Sequence, residues 1–205
     1  MKIAFFGSTG RVGSVMLEHA LMDGHEVQAL VRDSAKLTKH KYLSVIKGDA
    51  SSRSDVYNTI KGCSAVICAL GTDKKDMLSR SMLHILPAMR EESIKKIITI
   101  GTAGILDSKE EPGKLRFHSS EAKRRLTTAA EDHYRAFLML KQSGVKWTIV
   151  CPTYLPDGER VGEYRIERNT LPNNPSSISI YDTGDFAYSL LQSEKFLKSR
   201  VGITY

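Results

Sequence analysis

The chain lacks any apolar run long enough to cross a membrane or to act as a secretory leader. The longest candidate at its start, Met1 to Phe6, is far shorter than either requires, so a cytoplasmic location is the expectation. Cysteine is scarce. Cys63, Cys68 and Cys151 lie in or beside apolar runs, without the close Cys/His pairing of a zinc site, and read as small core residues of a reducing compartment; no metal is expected. No internal repeat of solenoid period is visible. The net charge of +7 comes without an aromatic-interleaved basic stripe or helix-turn-helix spacing. Lys95-Lys96 and Lys123-Arg124-Arg125 therefore read mainly as solvated faces, and nucleic acid is not an expected partner. A basic protein would also attract a polyanionic cofactor.

What is present suits one domain over residues 1–205, with 41% hydrophobic and 26% charged residues. The organising stretch is the first. Lys2-Ile3-Ala4-Phe5-Phe6 is followed by Gly7-Ser8-Thr9-Gly10-Arg11-Val12-Gly13, and then Val12, Val15, Met16, His19 and Ala20 recur at helical spacing. That pattern reads as strand, tight turn and helix, the first half of a dinucleotide-binding βαβ unit. One glycine permits the sharp turn, one lets backbone approach a pyrophosphate, and one lets helix and strand pack closely. The helix N–H groups and positive end would face the phosphates. The competing reading is a purely structural turn.

The second strand, His25 to Val31, ends in Arg32-Asp33-Ser34-Ala35-Lys36. Arg32 and Lys36 offer the positive charges that accommodate a 2′-phosphate, which favours NADP over NAD; alternatively, Asp33 is a helix N-cap and both cations face solvent. Tyr42 to Lys47 reads as the third strand. Asp49 after it would sit near an adenine ring, cap a helix starting near Ser54, or do both. Ala65 to Thr72 is a continuous apolar run suited to a parallel strand buried on both faces, with its exit at Leu70-Gly71-Thr72. A helix is predicted around Arg80 to Glu92, and Ile97 to Gly104 gives the fifth strand and its exit loop.

Leu106 to His118 reads as a charged surface loop. A long helix is predicted from about Ser119 to Gln142, with Leu126, Ala130, His133, Phe137 and Leu140 on one face. Val145 to Cys151 is the sixth strand, closed by Pro152. The stretch 153–177 is rich in Pro, Asn, Gly and charge, with a short strand at Tyr164-Arg165-Ile166; at the carboxyl edge of a sheet, it is where a substrate-covering segment would be built. A helix from Thr183 to Gln192 and a strand from Val201 to Tyr205 complete the chain. The predicted fold is α/β, a Rossmann-like doubly wound parallel sheet with helices on both faces.

These residues resemble the atypical short-chain dehydrogenase/reductase group of the NmrA-like type, and within it the flavin reductase, or biliverdin-IXβ reductase, branch. The likeness rests on Gly7 to Gly13, Leu30-Val31-Arg32-Asp33-Ser34, Gly48-Asp49, Ala65-Val66-Ile67 with Leu70-Gly71-Thr72, Asp132-His133 with Leu140 to Lys146, and Gly162-Glu163-Tyr164. The resemblance implies a nicotinamide cofactor with Thr9, Gly10 and Val12 at the pyrophosphate, in a turn where Gly7, Arg11 and Gly13 are further cofactor-binding candidates. It adds Arg32 and Lys36 at the 2′-phosphate, Asp49 at the adenine, Leu70, Gly71 and Thr72 in the middle, and Thr102, His133 and Pro152 toward the nicotinamide. His133 reads equally well as a satisfied core histidine.

Most short-chain dehydrogenases use a Tyr and a Lys four residues later. The one such spacing, Tyr57 to Lys61, falls at a helix end facing the amino edge of the sheet, and Tyr134 on the long helix is followed by Leu138. The usual pair is absent. A reductase passing hydride to a flavin, quinone or similar planar acceptor needs little acid chemistry, since solvent can supply the proton. Thr102 and Tyr154 would then orient the acceptor, with Tyr154, which stands where the related reductase has a histidine, as a proton donor. The rival expectation is an NmrA-like protein that binds NAD(P) as a sensor without turnover. A monomer and a dimer are both compatible with the sequence.

Overall fold

The computed structural model describes residues 1–72, 75–122 and 127–205; Lys123-Arg124-Arg125 and Leu126 lie outside the described residues. The chain alternates strand and helix. β1 (Lys2–Phe6), α1 (Arg11–Met22), β2 (Glu26–Val31) and β3 (Leu43–Lys47) are followed by α2 (Arg53–Ile60), β4 (Ala65–Cys68), α3 (Met77–Glu91) and β5 (Lys96–Ile100). Then come α4 (Thr128–Gln142), β6 (Lys146–Pro152), β7 (Arg165–Arg168), α5 (Ile180–Ser189) and β8 (Ser199–Thr204). The strands form one sheet in the order β3-β2-β1-β4-β5-β6-β8-β7. All pairings are parallel except β7 with β8, which is antiparallel. The doubly wound α/β fold read from the sequence is the fold observed.

Strand pleating explains the two cores. In β1, Ala4 and Phe6 face the layer containing Val56 and Ile60 of α2, Met82 and Ile85 of α3, and Phe137 and Leu140 of α4. Ile3 and Phe5 face the layer containing Val12 and Met16 of α1 and Phe186 and Ala187 of α5. With both faces covered, β1 and β4 have no position left for alternation, which is why they read as unbroken apolar runs. Cys68 and Cys151 belong to this core, where burial pushes their thiols up to about 11 and about 12.

α2 begins at Arg53, near the expected Ser54, and is capped by Ser52, whose hydroxyl accepts from the Asp55 N–H, while the Asp49 carboxylate accepts from Ser51; the helix-capping role considered for Asp49 is not observed. Three boundaries differ from the sequence expectations, each because of specific hydrogen bonds. α3 begins at Met77 rather than near Arg80 because Asp132 supplies acceptors for its first N–H groups. α4 begins at Thr128 rather than Ser119, because Glu121 accepts from Ser108, Lys109 and Arg116 and draws residues 119–121 into the preceding loop. That loop is itself built inward. Leu106 and Phe117 are buried, and Asp107 bridges Leu115. α5 begins at Ile180, where the Ser179 hydroxyl accepts from the Asp182 N–H at 3.0 Å.

Candidate functional site

The order of the sheet reverses between β1 and β4, and the chain leaves both strands at the same edge. In open α/β sheets that switch point opens a crevice at the carboxyl ends. A groove of about 280 Å³ lies there, lined by Gly7, Thr9 and Gly10 after β1, Leu30 to Arg32 and Lys36 from β2 onward, Gly48 to Ala50 after β3, and Ala69 to Gly71 after β4, with Met77 of α3.

Backbone geometry shapes the turn. Gly7 has φ +84°, and a Cβ there would lie 2.5 Å from the Ala69 carbonyl group. Gly13 brings α1 down onto the turn, since its own Cβ would fall 2.1 Å from the Gly7 oxygen. Gly10 is the N-cap of α1 and gives no side-chain cap. The first N–H groups of α1 thus have neither an intrahelical acceptor nor a capping side chain, an arrangement that suits an anion at the helix N-terminus. At Gly71 a Cβ would meet nothing within 4 Å, so the β4 exit leaves the groove clear. This cradle fits the phosphates of a dinucleotide.

Charge is concentrated at the β2–β3 end. Arg32 and Lys36 are exposed on the groove rim, and Asp33 caps the short turn between them by accepting from the Ala35 N–H at 3.1 Å. The capping role considered for Asp33 is therefore observed, with both cations exposed beside it. Asp49 accepts from the Ser51 N–H at 2.7 Å and the Ser51 hydroxyl at 2.6 Å, and these bonds, with Arg32 and Arg80 nearby, hold its carboxyl below the usual range.

The remaining candidates lie outside this groove. The Val12 side chain is in the core, and the Arg11 guanidinium turns away to the Leu155 carbonyl and the Asp157 carboxylate, tying the turn to the 153–177 segment. Thr72 follows the β4 exit. Thr102 and Pro152 stand at the exits of the neighbouring strands β5 and β6, where the Gly101 N–H still bonds the Val150 carbonyl. The Thr102 hydroxyl accepts from the Gly104 N–H, a role that does not consume its own hydrogen. His133 is half-buried on α4, and burial lowers its pKa to about 4 against the opposing charge of Asp132, so its imidazole is neutral at neutral pH. Tyr154 is 68% exposed, with its backbone bridged to Ser177.

Sequence reasoning passed over Asp132 as a structural element. This fully buried carboxylate accepts from the Leu78 and Ser79 N–H groups at 2.9 and 3.1 Å and from the Ser79 hydroxyl, joining α4 to the start of α3. The only signal was its place beside His133. Tyr57, as expected, is at the amino edge: its hydroxyl donates to Glu92, while nearby Ser64 bonds the Lys2 carbonyl. Tyr134 packs against Phe117 and Phe137.

A family description of NAD(P)H-binding proteins matches residues 7–194. The chain belongs to this NAD(P)H-binding family. Among relatives of the family member described here, the uncharacterized protein YwnB of Bacillus subtilis strain 168 is 24% identical over 196 residues, 93% of this chain and 91% of the relative. A candidate epimerase from Bacteroides thetaiotaomicron superposes with a TM-score of 0.86 at 28% identity, covering 100% of this chain and 96% of that one. A candidate NADH-flavin reductase from Streptococcus pneumoniae TIGR4 superposes with a TM-score of 0.83 at 25% identity, covering 100% and 99%. Among the described residues, no helix is long and apolar enough to cross a membrane.

Proposed function

We propose that this NAD(P)H-binding protein is a reductase that uses NADPH to reduce a flavin, quinone or similar planar acceptor. The observation that carries the reading is the continuity of one edge. The groove at Gly7, Arg32 and Gly71 lies at the carboxyl edge of the sheet, and the parallel strands β5 and β6 leave at the same edge, at Thr102 and Pro152, with the 153–177 segment next in the chain. The likeness to a candidate NADH-flavin reductase supports the same class.

In this reading Thr9 and the N–H groups at the start of α1 bind the pyrophosphate, with Gly7, Gly10 and Gly13 giving the backbone room to approach. Arg32 and Lys36 hold a 2′-phosphate, which favours NADP over NAD. Asp49 borders the adenine, and Leu70 and Gly71 the middle of the groove. When bound, the reduced nicotinamide supplies a hydride. Thr102, Pro152 and neutral His133 fix the end of the site where the acceptor lies, His133 as a hydrogen-bonding partner rather than an acid. Tyr154 lies against the acceptor and donates a proton where solvent does not.

An epimerase reading is less well supported, despite the similarity to a candidate epimerase, because Tyr134 is followed by Leu138 and packs among aromatic rings. The same absence favours a second reading, an NAD(P) sensor without turnover. Mixing the protein with NADPH and excess FMN or a quinone, and following the reduced-nicotinamide absorbance band, separates them. Oxidation of NADPH supports the reductase; tight NADPH binding with no oxidation by any acceptor supports the sensor.

A further inference from the structure

In the middle of the segment between β6 and α5, beside the ion pair of Arg160 with Asp185, two successive backbone N–H groups are held by one buried carboxylate. Asp182, in the first turn of α5, is fully buried. One of its oxygens accepts from the Val161 N–H at 3.0 Å and the Tyr205 hydroxyl at 2.5 Å, and the other accepts from the Gly162 N–H at 2.9 Å. The Ser179 hydroxyl donates at 3.2 Å. Two successive backbone groups of the segment thus end on one side chain, and Gly162 takes a positive φ of 80° as the chain turns there.

Burial alone would raise the Asp182 carboxyl; the hydrogen bonds from Tyr205, Val161, Gly162 and Ser179 outweigh it and hold the group below the usual range, so it stays charged. A buried charge with four donors is a rigid anchor, because losing it strands the donors away from water. The segment's tie through Arg11 to Asp157 is different in kind. Its side chains are 58% and 76% exposed, where ion pairs hold little. Val161, which Asp182 holds by its backbone, keeps its side chain 57% exposed.

We propose that Asp182 is a positioning residue that fixes the Val161–Gly162 turn, so that affinity for the acceptor depends on it while affinity for the dinucleotide does not. The inference rests on the reductase reading above. The separation follows from placement: neither Asp182 nor Ser179 nor Tyr205 lines the glycine-turn groove.

The test compares wild type with Asp182→Asn and Tyr205→Phe. Three quantities are measured: amide hydrogen exchange over residues 155–168, NADPH affinity by nicotinamide fluorescence, and FMN affinity in the presence of NADP by quenching of flavin fluorescence. Asparagine sets an amide NH2 against one of the donors, so the expected result is faster exchange confined to the segment and FMN binding weakened by roughly tenfold or more. Tyr205→Phe keeps the carboxylate and both backbone bonds, and is expected to weaken FMN by about threefold; it decides the matter should Asp182→Asn fail to fold. NADPH affinity is expected to stay within about twofold in both. FMN affinity that is unchanged in the variants, or NADPH affinity that falls as far as FMN affinity, overturns the proposal. A wild-type protein that binds NADPH but neither binds nor reduces any acceptor contradicts the reductase reading, and the acceptor half of the proposal falls with it. That outcome is seen in the wild type, and so is distinct from binding retained in the variants.

Discussion

Gly13 packs on Gly7 with no room for a methyl group between them: a Cβ on Gly13 would lie 2.1 Å from the Gly7 carbonyl oxygen. The contact joins α1 to the turn after β1, and it sets the height of the helix N-terminus above the groove. Gly71, across the groove, has open space in the same test.

The two glycines therefore respond differently to alanine. Gly13→Ala forces backbone apart and is expected to destabilise the fold by about 3 kcal/mol or more. Gly71→Ala is expected to change stability by less than about 0.5 kcal/mol, while its methyl group enters the groove and weakens NADPH binding by roughly tenfold. Thermal unfolding and NADPH titration of both variants check this. Equal loss of stability in the two would contradict the assignment of Gly71 to a binding surface.

Arg32→Ala is expected to weaken NADPH by roughly 10- to 100-fold, the worth of a hydrogen bond between charged groups, and NADH by far less. Removing Arg32 also takes away one of the positive charges that depress the Asp49 carboxyl, so that group moves back toward the ordinary carboxylate range. Parallel titrations with the two dinucleotides are the measurement. Equal weakening of both would show that Arg32 does not hold a 2′-phosphate.

Asp132→Ala strands the first N–H groups of α3 in a buried setting and is expected to cost about 2–4 kcal/mol. Breaking the exposed Arg11 to Asp157 pair is expected to cost less than about 1 kcal/mol. Denaturant unfolding of Asp132→Ala and of Asp157→Ala gives the comparison, and a reversal of the order would mean that burial does not govern these contacts.

His133 predicts a dependence of stability on pH. Its folded pKa, about 4, lies below the ordinary value of 6.5, so the unfolded chain binds the proton more readily. The contribution is fully present above about pH 6.5 and is lost as the pH falls toward about 4. Asp49 and Glu111, whose carboxyls are held below their ordinary values, lose their contributions at still lower pH. In thermal melts His133→Gln is expected to flatten the decline between about pH 6.5 and 4 while leaving the steeper acid loss. An unaltered profile would show that the imidazole is not desolvated.

Much of this architecture is legible in the sequence because it depends on neighbours along the chain. Parallel strands buried on both faces must be apolar without alternation, and the turns that leave them must contain glycine, so β1, β4 and their exits at Gly7 and Gly71 can be read directly. The start of α3 cannot, because the acceptors for Leu78 and Ser79 come from Asp132, far along the chain. The start of α4 is similarly hidden in the contacts of Glu121 with Ser108 and Arg116. Within the candidate site, the glycine turn from Gly7 to Gly13 is local and can be read in the same way. The direction of Arg11 cannot, since Leu155 and Asp157 draw it away from the groove. The edge strand β7 extends to Arg168, beyond the expected Tyr164 to Ile166, because its length is set by pairing with β8.

Single-turnover stopped-flow with NADPH deuterated at the transferred position tests direct hydride transfer from NADPH to a planar acceptor. With protein in excess over NADPH and FMN present, the expected result is oxidation of NADPH matched by bleaching of the flavin, slower for the deuterated cofactor. NADPH that binds and stays reduced, or that is oxidised at the same rate with either isotope, would contradict it.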